Sequence, residues 1–298
     1  MSLVLVTLVW GSTFVVVKNA IVAIEPLSFV ALRFVLASML LLAVFARPIL
    51  RSRWPVWRAG FFLGSFLLAG FILQTLGLLW TTPARAGFIT GLCVVIVPML
   101  QAILTRQRPS RPGALGIGLA TVGMAVLSAP ISPEEIGSGY WFGDLLVAGC
   151  AIAFAAHIVG VGHLGRGNHP GVSTSLQIAV AAIGATILAF TFGTGTASTP
   201  LDASAWVAIG YVGLVATAPT FLVQNWAQRH TTATHTALIF ALEPVFAALF
   251  SAQFYGEILA PRIFVGGALI LIGIICAEVL GVHPIGATQT SEIKTALT

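Results

Sequence analysis

From Leu3 to about residue 281 the chain is a succession of apolar runs, punctuated by proline, glycine and arginine. Each run is about 20 residues long, the length that carries an α-helix across roughly 30 Å of hydrocarbon. The runs show no alternation of inward and outward residues, so they read as helices and not as the strands of an outer-membrane barrel. Only 8% of the 298 residues are charged and 58% are hydrophobic, against roughly 25% charged in soluble domains. No water-soluble core hides that much apolar side chain, and the fold class is an all-α integral membrane protein.

Windows of this length predict ten transmembrane helices, over residues 3–22, 26–46, 58–79, 83–105, 112–128, 142–161, 170–192, 205–227, 232–254 and 262–281. Pro26, Pro83, Pro112, Pro170 and Pro261 fall at or near helix starts, where a missing N–H costs little. The net charge of +5 is carried by arginines in short loops, which points to membrane orientation and away from nucleic acid. With the N-terminus in the cytoplasm, the inner loops hold Arg47, Arg51, Arg53, Arg58, Arg106, Arg108, Arg111, Arg166 and Arg229, and the tail holds Lys294. The outer connections hold Glu25, Glu134, Glu135, Asp144, Asp202 and Glu257 against Lys18, Arg85 and Arg262. Both termini are thus predicted to be cytoplasmic, in a multi-pass protein of the cell's inner (plasma) membrane. The start of the chain does not read as a signal peptide, and residues 282–298 read as a disordered cytoplasmic tail. Cys93, Cys150 and Cys276 lie in apolar runs and read as packing residues.

Sliding the chain against itself by 150 places sets Gln74 on Gln224, Thr81 and Thr82 on Thr231 and Thr232, Ile89 on Ile239, Gly116 on Gly266 and Gly123 on Gly273. Over the first two helices of each half a shift of 144 fits better, with Pro26 on Pro170 and Arg33 on Gln177. Residues 1–128 and 142–281 are therefore expected to be two copies of one five-helix unit. Five is odd, so a first copy that starts inside obliges the second to start outside, and the halves are inverted about an axis in the membrane plane. Inverted repeats belong to secondary transporters, whose halves exchange inward-open and outward-open roles around a site between them.

Four stretches carry a resemblance: "LVWGSTFVVVK" in the first helix, "LQTLGLLWTTPARAGFITGLCVVIVP" across the third and fourth, "LEPVFAALFSAQFYGEIL" in the ninth and "GGALILIGI" in the tenth. In this order and spacing they resemble the drug/metabolite transporter superfamily, in its ten-helix EamA-type branch. That resemblance implies export of small metabolites, and the chain is most similar to exporters of amino acids, including aromatic ones. The family pattern ends the fourth and ninth helices in Gly-Glu. The second copy keeps it as Gly256-Glu257, whereas the first has Arg106-Gln107, which favours reading Glu257 as a helix-end feature.

Glu243 lies near the middle of the ninth helix, where a charge costs about 2.5–3.5 kcal/mol on insertion scales. Pro244 beside it removes an N–H and crowds the carbonyl of Phe240. One reading makes Glu243 a cavity group for a cationic part of the substrate or a coupling proton; the other makes it a buried acid that fixes a kink. Pro98 in the fourth helix follows Val97, so the acid has no partner in the first copy, and Pro98 and Pro244 are the candidate bending residues. Arg33 reads either as a snorkelling or paired cation or as the counter-charge of a substrate carboxylate, and Lys18 as a snorkelling residue. His157 matches Thr13 and faces the same cavity on one reading, while on the other it is a hydrogen-bonded core residue. Gln74, Gln224 and Asn225 bridge helices or touch substrate. For a planar, apolar substrate the wall is sought among Trp10, Phe14, Trp80, Phe88, Trp226 and Phe246. The cavity candidates are therefore Trp10, Ser12, Thr13, Phe14, Gln74, Trp80, Phe88, His157, Gln224 and Glu243.

"GVGHLG" at residues 160–165 follows a membrane run rather than a strand, so it is no dinucleotide fingerprint, and His157, His163 and His169 are six apart and would not share a helix face, so a metal site is not expected. A P-loop is absent from the sequence, which speaks against direct ATP coupling. The expected activity is secondary transport of a small-molecule substrate through the lipid bilayer by alternating access, without cofactor or metal and with a proton as the candidate coupling ion. The alternative is an integral-membrane enzyme acting on lipid or isoprenoid substrates, which would need a cluster of carboxylates or histidines near a membrane face. Oligomeric state is left open by the sequence.

Overall fold

A computed structural model describes residues 1–106, 110–127, 140–165, 167–193, 203–255 and 261–280. The tail, Glu134, Glu135, Asp202, Glu257, Lys294, and the sites of Arg108, Arg166 and Gly256 lie outside the described residues. All regular structure among the described residues is helical: α1 Ser2–Ala23, α2 Pro26–Leu50, α3 Trp54–Trp80, α4 Pro83–Gly91, α5 Cys93–Thr105, α6 Arg111–Leu127, α7 Trp141–Leu164, α8 Pro170–Phe192, α9 Ala203–Gly210, α10 Ala218–Ala227, α11 Ala233–Phe240, α12 Glu243–Tyr255 and α13 Pro261–Leu280. A π-helical turn, Tyr211–Val215, joins α9 to α10.

Eight stretches are long and apolar enough to cross a membrane: α1, α2, α3, α7 and α8, and the broken spans 85–105, 203–227 and 233–254. Two further apolar helices are shorter, Arg111–Val126 within α6 and Phe264–Cys276 within α13. The helix starts obey local chemistry. Glu25 caps α2 by accepting from the N–H groups of Leu27 (3.0 Å) and Ser28 (2.6 Å), with Pro26 in the first turn. Thr82 caps α4 through the N–H of Arg85 at 3.3 Å, and Thr232 caps α11 through that of His235 at 3.2 Å.

The spans 85–105 and 233–254 are both interrupted, at places 150 residues apart. Leu92 separates α4 from α5 with φ −58° and ψ −11°, and Ala241 ends α11 with φ −62° and ψ −11°. At each break the chain tightens into a three-residue turn: the N–H of Leu92 bonds the carbonyl of Ile89 at 3.1 Å, and that of Leu242 the carbonyl of Ile239 at 3.1 Å. Pro244 is the second residue of α12, so the N–H it lacks is the one that would have served Phe240 across the break. Pro98 stands well inside α5, downstream of the first break. Unlike α3, which runs unbroken for 27 residues, the span 203–227 is broken. Its π turn precedes Pro219, whose ring cannot accept the regular ladder, and the N–H of Ala216 reaches back to Tyr211 at 3.0 Å.

Packing pairs the halves. The most extensive contacts are α6 with α13, α2 with α8, and α3 with α7 and α8. In the centre α4 lies on α12 while α5 lies on α11, so the two broken spans cross head to tail. Glycine sets the closest approaches: a Cβ on Gly123 would stand 2.6 Å from the carbonyl oxygen of Gly266, and one on Gly273 2.6 Å from that of Gly116.

Candidate functional site

A cavity of about 50 Å³ lies where these helices converge, lined by Trp10 and Thr13 of α1, Arg33 of α2, Phe71 and Gln74 of α3, and Thr90, Gly91 and Cys93 around the first break. The other half contributes Phe154, His157 and Ile158 of α7, Phe221 and Gln224 of α10, Ala237 and Phe240 of α11, and Glu243. On four helices, and across the break between α11 and α12, an aromatic residue is followed three places later by a polar one: Trp10 and Thr13, Phe71 and Gln74, Phe154 and His157, Phe221 and Gln224, and across the break Phe240 and Glu243. Residues three apart share a helix face, so each helix sends one ring and one polar group to the same space.

The rings form one continuous wall. Trp10 sits 5.1 Å from Phe221 and 4.9 Å from Phe240, and Phe71 sits 5.0 Å from Phe154 and 5.9 Å from Phe221, measured between centroids. The indole N–H of Trp10 donates to the carbonyl of Ala216 at 3.0 Å and to Thr220 at 3.2 Å, which fixes the ring against the π turn.

Arg33 is 2% exposed. Its Nε donates to Thr217 Oγ1 at 3.1 Å, and its guanidinium carbon lies 4.4 Å from the centroid of Phe71. The π turn presents Thr217 in this role, since the hydroxyl donates in turn to the carbonyl of Val212 at 2.7 Å. Among the described residues no carboxylate pairs with Arg33, and the one ion pair is between Arg85 and Asp144. Glu243, half-buried, has no hydrogen-bonding or ionic partner for its carboxylate among them either.

His157 is held from behind. Gln177 donates through Nε2 to Ser173 Oγ at 2.9 Å and to Asn225 Oδ1 at 3.1 Å, so its Oε1, 2.9 Å from His157 Nε2, is left to accept. The network therefore assigns the proton to Nε2, and Nδ1 has no partner among the described residues. Gln224 is set in the same way: Gln228 donates to the carbonyl of Ile158 at 2.9 Å, its Oε1 accepts from Gln224 Nε2 at 3.1 Å, and Gln224 Oε1 remains buried without a partner.

Six of the ten residues expected around a cavity, Trp10, Thr13, Gln74, His157, Gln224 and Glu243, thus stand together. The other four lie elsewhere. Ser12 bonds the carbonyl of Val9 and the hydroxyl of Tyr211, both at 2.6 Å. Phe14 is buried among Val17, Ile21 and Leu78, and Phe88 packs beside Val94 and Met124. Trp80 is exposed, on a surface recess shared with Lys18, Thr81 and Tyr140. There Lys18 donates to the carbonyls of Leu78 and, at 3.2 Å, Thr81, capping the end of α3. Beside it Arg85 of α4 pairs with Asp144 of α7, which also accepts from Thr81 Oγ1 at 2.7 Å. Trp226 is half exposed on α10, and Phe246 packs with Val94 and Leu242. Arg33, which the sequence left between a paired cation and a substrate counter-charge, stands on the cavity; sequence reasoning did not place Phe71, Phe154, Phe221 or Phe240 there, and the signal that finds these four is the repeated aromatic-to-polar spacing.

The model of the EamA-like transporter family matches the chain twice, over residues 1–129 and 141–278. An uncharacterized transporter of Archaeoglobus fulgidus is 33% identical over 276 residues, covering 92% of this chain and 84% of that one. The uncharacterized transporter YyaM of Bacillus subtilis is 24% identical over 287 residues, covering 95% and 93%. A solved crystal structure superposes with a TM-score of 0.74 at 22% identity over 93% of this chain and 96% of that one, a likeness of fold.

Proposed function

This chain belongs to the EamA-like transporter family and is a multi-pass membrane transporter of a small molecule, and from that premise we propose that it exports amino acids, aromatic ones included, across the inner membrane by alternating access. Its spans number ten, in two inverted five-helix copies with both termini in the cytoplasm, and it works as a secondary transporter.

The observation that carries this reading is the pairing of the cavity wall across the two copies. At a shift of 150, Phe71 falls on Phe221, Gln74 on Gln224, Thr90 on Phe240 and Cys93 on Glu243; at 144, Trp10 falls on Phe154 and Thr13 on His157. Both breaks obey the first shift, and the head-to-tail crossing of the broken spans is what an inverted pair produces. At the size described the cavity admits a few waters, so a substrate enters only when one end opens, as alternating access requires.

Substrate polarity is carried where the copies differ. The charged groups are Arg33, against Gln177, and Glu243, against Cys93. A cation and an anion that do not pair with each other, set in an aromatic wall, suit a zwitterion with a flat side chain. The test is counterflow of labelled amino acids in proteoliposomes: saturable flux of phenylalanine or a related amino acid is expected. Lack of saturable flux for every amino acid sinks the assignment, and turnover of a bilayer lipid would favour the membrane-enzyme alternative.

A further inference from the structure

The cavity carries an imbalance of hydrogen-bonding groups. Three acceptors face it with nothing to accept from among the described residues: the carboxylate of Glu243, Oε1 of Gln224 and, in the neutral imidazole, Nδ1 of His157. The orientations of two of them are imposed from outside the cavity, by Gln177 on the histidine and by Gln228 on the glutamine. A buried acceptor left unsatisfied costs about 1–3 kcal/mol, and more when charged, so this arrangement is complementary to a group that brings several donors and a positive charge.

We propose that Glu243, Gln224 and His157 form a subsite for a primary ammonium group, with the aromatic rings of Phe154, Phe221 and Phe240 as its walls. An alkylammonium has three N–H donors in a compact head, and the subsite offers three acceptors. The ring faces add attraction for a cation. Each ring stands three residues before its acceptor, on one helix for Phe154 and His157 and for Phe221 and Gln224, and across the break at residues 241–242 for Phe240 and Glu243, so ring and acceptor reach the ligand together. Arg33, a donor held on Thr217 and Phe71, is left for whatever anionic group the same ligand carries. A carboxylate-only ligand brings Glu243 no donor, and a hydroxyl-only ligand brings it a donor but no compensating charge, so both fit the subsite less well than an ammonium.

The inference rests on the transport reading for its setting but is tested apart from it. Purified protein is titrated by calorimetry with matched ligands on several side chains: amino acids, the corresponding amines, the corresponding carboxylic acids, and N-acetyl amino acids. Amino acids and amines are expected to bind, and ligands without a free ammonium to bind at least about tenfold more weakly, the loss of a charged hydrogen bond. Glu243→Gln and His157→Phe should weaken the amines by a similar factor and leave residual binding of the carboxylic acids unchanged, a split that a merely structural role would not produce. Carboxylic acids or N-acetyl amino acids that match the amines, no amine binding at all, or equal losses for all ligands in both variants would overturn the subsite. Saturable flux of an ammonium-free metabolite would overturn it while leaving the protein a transporter.

Discussion

At the scale of single residues the informative side chains are those without partners. Arg33 pays the desolvation cost of a charge and receives one neutral hydrogen bond and ring contacts in return. Arg33→Leu is therefore expected to abolish transport while leaving thermal stability unchanged or higher, a combination read from flux and melting on one preparation. If proton and substrate share Glu243, Glu243→Gln should yield flux that no longer varies with pH, and a pH profile identical to the parent's would remove the acid from coupling. Arg106 ends α5 with φ 55° and ψ 22°, the left-handed conformation glycine adopts freely. At a shift of 150 places it falls on Gly256. Arg106→Gly should stabilise by up to about 1 kcal/mol, since the strain relieved exceeds the entropy added to the unfolded chain; a lower melting temperature would contradict it.

At the scale of elements, helix positions were legible because hydropathy and proline state where a chain enters hydrocarbon. Which face turned inward was not. Helices such as α1 and α3 are apolar all round, so their period does not separate lipid from cavity; hence Phe14, Phe88 and Trp80 were sought at the cavity and Phe71 was not. Arg33 was balanced between two readings because its hydroxyl partner, Thr217, is positioned by a π turn for which Pro219 is the sole sequence sign. The breaks at Leu92 and at residues 241–242 were masked by the search for prolines, because Pro98 and Pro244 do not fall on each other at the shift of 150 that relates the breaks. Packing of α6 on α13 offers a clean contrast. Gly123→Val should cost about 1–3 kcal/mol because its Cβ meets the backbone of Gly266. Gly118, on the same helix, has nothing within 4 Å of an added Cβ. Gly118→Ala should therefore be neutral or stabilise by about 0.5–1 kcal/mol. Similar losses at both sites, measured by thermal unfolding in detergent, would show that the close approach is not decisive.

For the molecule as a whole, the ion pair of Arg85 with Asp144 ties the start of α4 to the start of α7 at the end predicted to face outward. Asp144→Asn should loosen that end. Cys93, 6% exposed on the cavity wall, then becomes a reporter: its labelling by an impermeant maleimide is expected to rise several-fold, and an unchanged rate would show that the pair does not hold the end shut. The crossing of the broken spans has a further consequence. Because α4 rests on α12 and α5 on α11, the first half of each broken span leans on the second half of the other. Under the proposed alternating access, a tilt that parts the walls at one mouth would press them together at the other. On that proposal leakage is suppressed by mechanics: the two mouths would behave as the ends of a balance beam, which keeps both from gaping at once.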